Sequence, residues 1–293
     1  MKVLADWGTT NLRGWLVDDQ GTVVARHQSD MGLLKSIDTG FASVFATLVD
    51  CLGADGDTPA IISGMASSRT GWQEVPYVPV PADASAIAKQ AIRVEERPHT
   101  WLVGGVSSTP GTKTPEVMRG EEVQALGIVQ LHPDAKLLCL PGTHSKWVET
   151  ADGVILGLQT YMTGELFDWL ANDSLIATQI TARSYEPAAF AEGLELAAEG
   201  MALTRALFQL RTRFLDNRIE SDHVYAMASG LLIGHEVAAA SVGQQETIHL
   251  AASGDVADSY EAAMAQFGLK CVSVDPEQAT LAGLLSLFPL IQA

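Results

Sequence analysis

Six residues near the start of the chain, Asp6-Trp7-Gly8-Thr9-Thr10-Asn11, place a carboxylate, a glycine and two hydroxyls within one turn. Small residues let a ligand approach the backbone, and successive N–H groups in such a turn form a nest for an anion, above all a phosphate. A lone carboxylate beside it suits Mg²⁺, which takes one or two protein carboxylates and completes its shell with phosphates and water. Asp6 would hold that ion directly or through water. An ordinary hairpin turn with an exposed aspartate would have the same composition. Four of the chain's 18 basic residues, Arg13, Arg69, Arg119 and Lys146, also stand beside Gly, Ser or Thr in turn-like segments, where each either meets an anion or faces solvent.

These residues need a scaffold, and composition bounds it. With 293 residues, 47% of them apolar, the chain can bury a sizeable core and by size should form two compact units. A net charge of −17 excludes wrapping around nucleic acid, which needs clustered Lys and Arg. Apolar runs such as 226–233 stop well short of the roughly 20 residues that span a bilayer, and no apolar leader precedes the first strand. Cys51, Cys139 and Cys271 lie far apart in apolar settings without CxxC spacing, which suits buried free thiols in the cytoplasm.

Period-2 patterning predicts strands at 2–7, 12–18 and 21–27 in an antiparallel meander, then a helix over 41–52 that stops at Gly53, and a buried strand at 60–62. Residues 72–81 should be extended and 104–115 a long loop; a strand is expected at 100–103 and a helix from 118. The second half repeats the opening: strands at 136–140, 147–150 and 153–159, then mostly helices to 241. A strand at 248–252, a helix at 256–267, a strand at 270–274 and a helix at 277–288 close the chain. The boundary falls near 132–134, giving domains 1–134 and 135–293, the last helix packing back on the first domain as one option. Repetition of pattern without identity suggests two related α/β units. Two tempting motifs fail: 105–114 lacks P-loop spacing, and His235-Glu236 has no second histidine at zinc-protease spacing.

The opening loop with Arg13 resembles the first phosphate motif of the sugar kinase, actin and heat-shock chaperone superfamily. Gly64-Met65, Gly71-Trp72, Met118-Arg119-Gly120-Glu121-Glu122, Pro141-Gly142-Thr143-His144-Ser145-Lys146-Trp147-Val148, Met162-Thr163-Gly164-Glu165-Leu166 and Ser229-Gly230-Leu231-Leu232-Ile233-Gly234 follow in the order and spacing of the 2-dehydro-3-deoxygalactonokinase family, over nearly the whole chain. The resemblance implies an α/β fold of two ribonuclease-H-like (actin-like ATPase) domains facing each other across a nucleotide and substrate cleft. It implies transfer of the γ-phosphoryl of ATP, with Mg²⁺, to the 6-hydroxyl of 2-dehydro-3-deoxy-D-galactonate.

Roles follow from that resemblance. Gly8, Thr9, Thr10 and Asn11 would cradle phosphate, and 141–146 would be a second phosphate loop through Gly142 and Thr143, with His144 and Lys146 either touching phosphate or shaping the turn. Ser253-Gly254 resembles the adenosine-binding turn. Glu121 matches the aspartate that starts a helix in related glycerol and xylulose kinases and takes the proton of the attacking hydroxyl; Glu122 is its rival, and both would also suit a helix start as plain dipole partners. Arg13, Ser67, Ser68, Arg69, Trp72 and Arg119 are the substrate-lining candidates, an arginine being able to grip a carboxylate with two bonds. The partners implied are a small sugar acid and neither nucleic acid nor membrane; the helical stretch 192–214 supplies a homodimer face or completes a core. A kinase for another keto or hydroxy acid is the nearest alternative. A non-catalytic sugar sensor is disfavoured because the phosphate loop begins at residue 6.

Overall fold

The computed structural model describes residues 1–292. In chain order its elements are β1 (Lys2–Trp7), β2 (Leu12–Val17), β3 (Val23–Ser29), α1 (Leu33–Thr39), α2 (Phe41–Cys51), β4 (Ala60–Gly64), β5 (Val78–Pro79), α3 (Ala84–Gln90), β6 (Ile92–Val94), β7 (Arg97–Leu102), β8 (Val106–Ser107), β9 (Val117–Met118) and α4 (Glu121–Leu131). Then come β10 (Leu137–Leu140), β11 (Ser145–Ala151), β12 (Val154–Tyr161), α5 (Thr163–Asn172), α6 (Pro187–Ala198), α7 (Leu203–Leu215), α8 (Val224–Ala240), β13 (Ile248–Ala251), α9 (Gly254–Gln266), β14 (Cys271–Val274) and α10 (Pro276–Gln292).

Two sheets carry the same plan. The first runs β3-β2-β1-β4-β7-β6, with β1–β2 and β2–β3 antiparallel but β1–β4 and β4–β7 parallel. The second runs β12-β11-β10-β13-β14, with β10–β13 and β13–β14 parallel. Each is therefore a meander of three strands followed by crossover strands, the α/β pattern of the ribonuclease-H-like fold. Local chemistry explains the meanders: Asp152 and Gly153, both at positive φ (51° and 79°), form the two-residue turn between β11 and β12 that Asp-Gly favours.

The chain divides into two compact units: 1–135 with 148–158 and 276–293, and 136–147 with 159–275. Relative to a single cut at residue 134, two pieces join the first unit, the second of them the last helix, as the packing-back option has it. The outer part of the β11–β12 hairpin belongs to the first unit, where Ala82 and Ile155 exchange backbone bonds of 2.9 Å and the Thr150 hydroxyl donates to Ala135 O at 2.7 Å. Helix α10 belongs there too, against α4 and α3. A Cβ on Gly127 would lie 1.8 Å from Ala279 O, and one on Gly283 1.9 Å from Val123 O, so α4 and α10 touch backbone to backbone.

In the first unit Trp7, Phe45, Leu48 and Ile62 centre the core. The second unit is built around α8, buried nearly all round, with α6 pressed onto it where Gly193 and Gly230 leave room for the facing backbone. α7 buries Ala206 and Leu210 in the same core and leaves Phe208 and Leu215 exposed. Cys139 is buried, but Cys51 is exposed, because it lies in the last turn of α2 on the face away from the sheet. Among the described residues no helix is long and apolar enough to cross a membrane.

The glycine contact makes a test. Alanine in place of a helical glycine normally gains about 1 kcal/mol, whereas Gly283→Ala should cost a net ~2 kcal/mol through overpacking. Urea unfolding of the variant measures the sign.

Candidate active site

The opening loop is a hairpin turn, with Asp6 opposite Arg13 and Trp7 opposite Leu12 in the β1–β2 ladder, closed by Gly8 N–H donating to Asn11 O at 2.8 Å. Its carbonyls are spoken for: Gly8 O, Thr9 O and Thr10 O accept from Leu33, Leu34 and Gly32 N–H at 3.0–3.2 Å. Gly32 must be glycine there, since a Cβ would lie 2.4 Å from the Thr10 backbone. The segment leading into α1 thus holds the loop from behind, and the side chains of Thr9, Thr10 and Asn11 stay exposed.

Cross-strand pairing joins two residues predicted to have separate roles. Arg13 Nη2 donates to Asp6 Oδ2 at 2.6 Å. The other oxygen, Oδ1, faces the glycine pair Gly64 and Gly120, where a Cβ on Gly120 would come within 3.9 Å of it and 3.4 Å of Gly64 Cα. One half-neutralised carboxylate beside bare backbone fits a hydrated divalent cation better than a fully stripped one.

Gly120, at φ 106°, turns the chain into α4. Arg119 before it donates Nη1 to Ser67 O (2.7 Å) and Ser67 Oγ (2.6 Å), donates Nη2 to Val75 O (3.0 Å), and lies 4.3 Å from the centre of the Tyr77 ring. Its guanidinium therefore braces the loop after β4, an arrangement no motif announced. Ser67 is consumed in the same network and also donates to Gly64 O at 3.0 Å. Trp72 joins Trp7 and Phe45 in an aromatic cluster and donates Nε1 to Glu96 at 3.3 Å. Of the six substrate candidates, Ser68, whose buried hydroxyl has no partner, and the exposed Arg69 carry no such commitment.

Glu121 and Glu122 separate sharply. Glu121 accepts Arg119 N–H at 3.0 Å and keeps access to solvent. Glu122 is 0% exposed, accepts Gly120 N–H at 2.7 Å through Oε2, and buries Oε1 without a partner. Burial first, and the neighbouring Glu121 charge second, push Glu122 up to about 8, so it is a neutral acid at pH 7. Of the two, Glu121 is the one that solvent and a ligand can reach.

The second unit holds a cavity of about 620 Å³. The loop residues Pro141, Gly142 and Thr143 line one side. Around them come the first turns of three helices: Thr163-Gly164-Glu165 of α5, Tyr225-Ala226 of α8 and Asp255-Val256 of α9. None of the three N-termini has a side-chain cap. Glu165 N–H donates to Thr143 O at 3.0 Å; the other first-turn N–H groups and the helix dipoles make this side of the cavity favourable to negative charge. Gly164 is required by the fit, because its Cβ would stand 2.4 Å from Gly142 O. Phe167, Tyr225, Leu232 and Ile233 supply an apolar wall, and Arg183, held by Asn172 Oδ1 at 2.5 Å, is the lining cation.

His144 and Lys146 shape the loop and do not line the cavity. His144 Nε2 meets Glu165 Oε2 at 2.5 Å, and Lys146, 4% exposed, donates to His144 O at 2.8 Å. Ser253 precedes α9 and Gly254 opens it at φ 57°, just before the lining residues Asp255 and Val256. Thr163, Gly164, Arg183, Tyr185 and Tyr225 were absent from the predicted site. The Thr-Gly-Glu start of α5 was a legible clue to the first two.

A repeated α/β unit with a Gly-Thr-Thr turn after its first strand, and a cavity lined by three helix N-termini, have the plan of the actin-like ATPase fold, a fold that includes sugar kinases. A protein of known structure with only 13% identity, a component of the (R)-2-hydroxyglutaryl-CoA dehydratase of Acidaminococcus fermentans, shares that fold at a TM-score of 0.55 over 99% of this chain and 98% of its own. The family model for 2-keto-3-deoxy-galactonokinase matches residues 6–287, and the chain belongs to that family of sugar-acid kinases. The 2-dehydro-3-deoxygalactonokinase of Escherichia coli K12 is 34% identical over 287 residues, 97% of this chain and 96% of its own. A crystal structure from Sinorhizobium meliloti, named for the same activity, superposes with a TM-score of 0.92 at 32% identity, covering 99% of this chain and 97% of that one.

The buried acid has a pH signature. An acid whose folded value stands near 8 and whose ordinary value is 4.5 contributes its stability in full below pH 4.5 and loses it as pH rises through 8. Glu122→Gln should remove that decline. Denaturant melts of both proteins from pH 5 to 9 measure it; parallel pH profiles would show Glu122 to be ionised in the fold.

Proposed function

We propose that this enzyme transfers the γ-phosphoryl group of ATP to the 6-hydroxyl of 2-dehydro-3-deoxy-D-galactonate, yielding ADP and the 6-phosphorylated acid within galactonate breakdown. The nucleotide half rests on one observation: three uncapped helix starts and the 141–143 loop line one cavity of the second unit. Its apolar wall suits a purine and its N–H groups a polyphosphate.

Mg²⁺, when bound, would offset the negative charge of the phosphates. Asp6 is the carboxylate that fits it, through Oδ1, with Arg13 holding Oδ2 in place. The exposed Thr9, Thr10 and Asn11 complete the first phosphate turn. Arg69 and Ser68 are left to meet the sugar acid's carboxylate and hydroxyls, since Arg119 and Ser67 hold each other. Glu121 takes the hydroxyl proton while that oxygen bonds to phosphorus and the bond to the ADP oxygen breaks.

A coupled ATP-consumption assay over a panel of 2-keto-3-deoxy sugar acids tests the substrate, with the galactonate-derived acid expected to give the highest kcat/KM. Turnover of none of them would overturn the proposal. Glu121→Gln should lower kcat by about 10² to 10⁴-fold while nucleotide still binds; undiminished kcat would remove Glu121 as the base.

A further inference from the structure

Behind the cavity lies a buried carboxylate that the sequence offers only as part of a failed metal motif. Glu236 of α8 is 3% exposed. Its Oε1 accepts Trp147 Nε1–H at 2.9 Å and its Oε2 accepts Tyr260 O–H at 2.8 Å. Tyr260 OH also lies 2.9 Å from Ser145 Oγ, and the Thr163 hydroxyl bonds to Glu236 as well. Ser145 and Trp147 are two apart on β11 and so share one face of the strand. This accounts for their place in the Ser-Lys-Trp run that follows the second loop. Tyr260 and Thr163 line the cavity itself.

We propose that Glu236 is a positioning residue for the nucleotide: it ties α8 to β11, α5 and α9 at the points where the loop end and two of the helix starts meet the cavity. A carboxylate is suited to the task because it accepts several bonds at once, whereas an amide or hydroxyl would satisfy fewer of these donors. Burial pushes Glu236 up, opposed by its hydrogen bonds from Thr163, Trp147, Tyr260 and Ser145. A carboxylate buried at that cost, with its donors drawn from several elements, points to geometry that must be held closely rather than to stability. Backbone N–H groups aimed at a polyphosphate need such support, since small displacements weaken every bond together.

The inference rests on the kinase reading, and the experiment separates the two. ADP binding is measured by titration calorimetry on wild type, Tyr260→Phe, Glu236→Leu, the double variant and Glu236→Gln, together with KM for the sugar acid and thermal melts. Tyr260→Phe and Glu236→Leu should each weaken ADP binding about 10-fold, the scale of one hydrogen bond to a charged group. Their losses should not add in the double variant. KM for the sugar acid should move less than about twofold, and Glu236→Gln should recover most of the affinity, because its oxygen still accepts from Trp147 and its amide can donate to Tyr260. If Glu236→Leu does not fold, Tyr260→Phe and Glu236→Gln decide through the same readouts. ADP affinity unchanged in folded variants that melt lower would make Glu236 a packing residue and overturn the proposal, as would strictly additive losses. Absence of ADP binding by wild type would overturn the kinase reading, and this inference with it.

Discussion

The second unit depends on leaving helix starts unsatisfied. Each helix exposes up to four N–H groups at its N-terminus, and a folded protein ordinarily covers some of them with a Ser, Thr, Asp or Asn side chain. Here α5, α8 and α9 have no such cap, and their first turns line one cavity together with Gly142 and Thr143. In a chain with net charge −17, helix starts of this kind place positive potential from the backbone beside the lining cation Arg183. Close approach is then obligatory, which is the work of Gly164 against Gly142 and of the glycines that let α6 lie on α8.

The first unit solves a different problem with the same economy of charge. Its carboxylates are placed in three different surroundings: Asp6 against Arg13 across one ladder, Glu121 at the surface of the α4 start, Glu122 sealed beneath it. Gly120 makes the arrangement possible, since its positive φ lets two successive N–H groups, of Arg119 and Gly120, be taken by two successive carboxylates. The result is one buried acid raised above its ordinary value and one solvent-reachable carboxylate, next to each other in sequence. Arg119 then ties this start to the loop after β4 through its bonds to Ser67 and Val75.

Much of this was legible in the residues because it is local. Alternating apolar positions and Gly-containing turns marked both meanders, and the Asp-Gly of the β11–β12 turn announced its own geometry. The short helices α1 and α3, of seven residues each, were missed because so few turns show little periodicity. The domain limits were less legible for another reason: what draws α10 to α4 is a pair of glycines more than 150 positions apart, each recessing one helix for the other's carbonyls. Site residues divided in the same way. Asp6 and Glu121 stand in motifs, but Arg119 reads as a free cation until the carbonyls of Ser67 and Val75 are seen around it.

What sequence patterns record least well is support. Ser145 reads as part of the second loop and Trp147 as the start of a strand, and His235-Glu236 invites a metal reading that fails for want of a second histidine. In the fold Ser145, Trp147 and Tyr260 form one hydrogen-bonded unit around Glu236. A cavity lined by backbone N–H groups has no side chain whose identity proclaims its purpose. Its shape therefore depends on the residues that fix where the backbone lies, and a buried carboxylate with several donors is the form such a residue takes when several elements must be held by one.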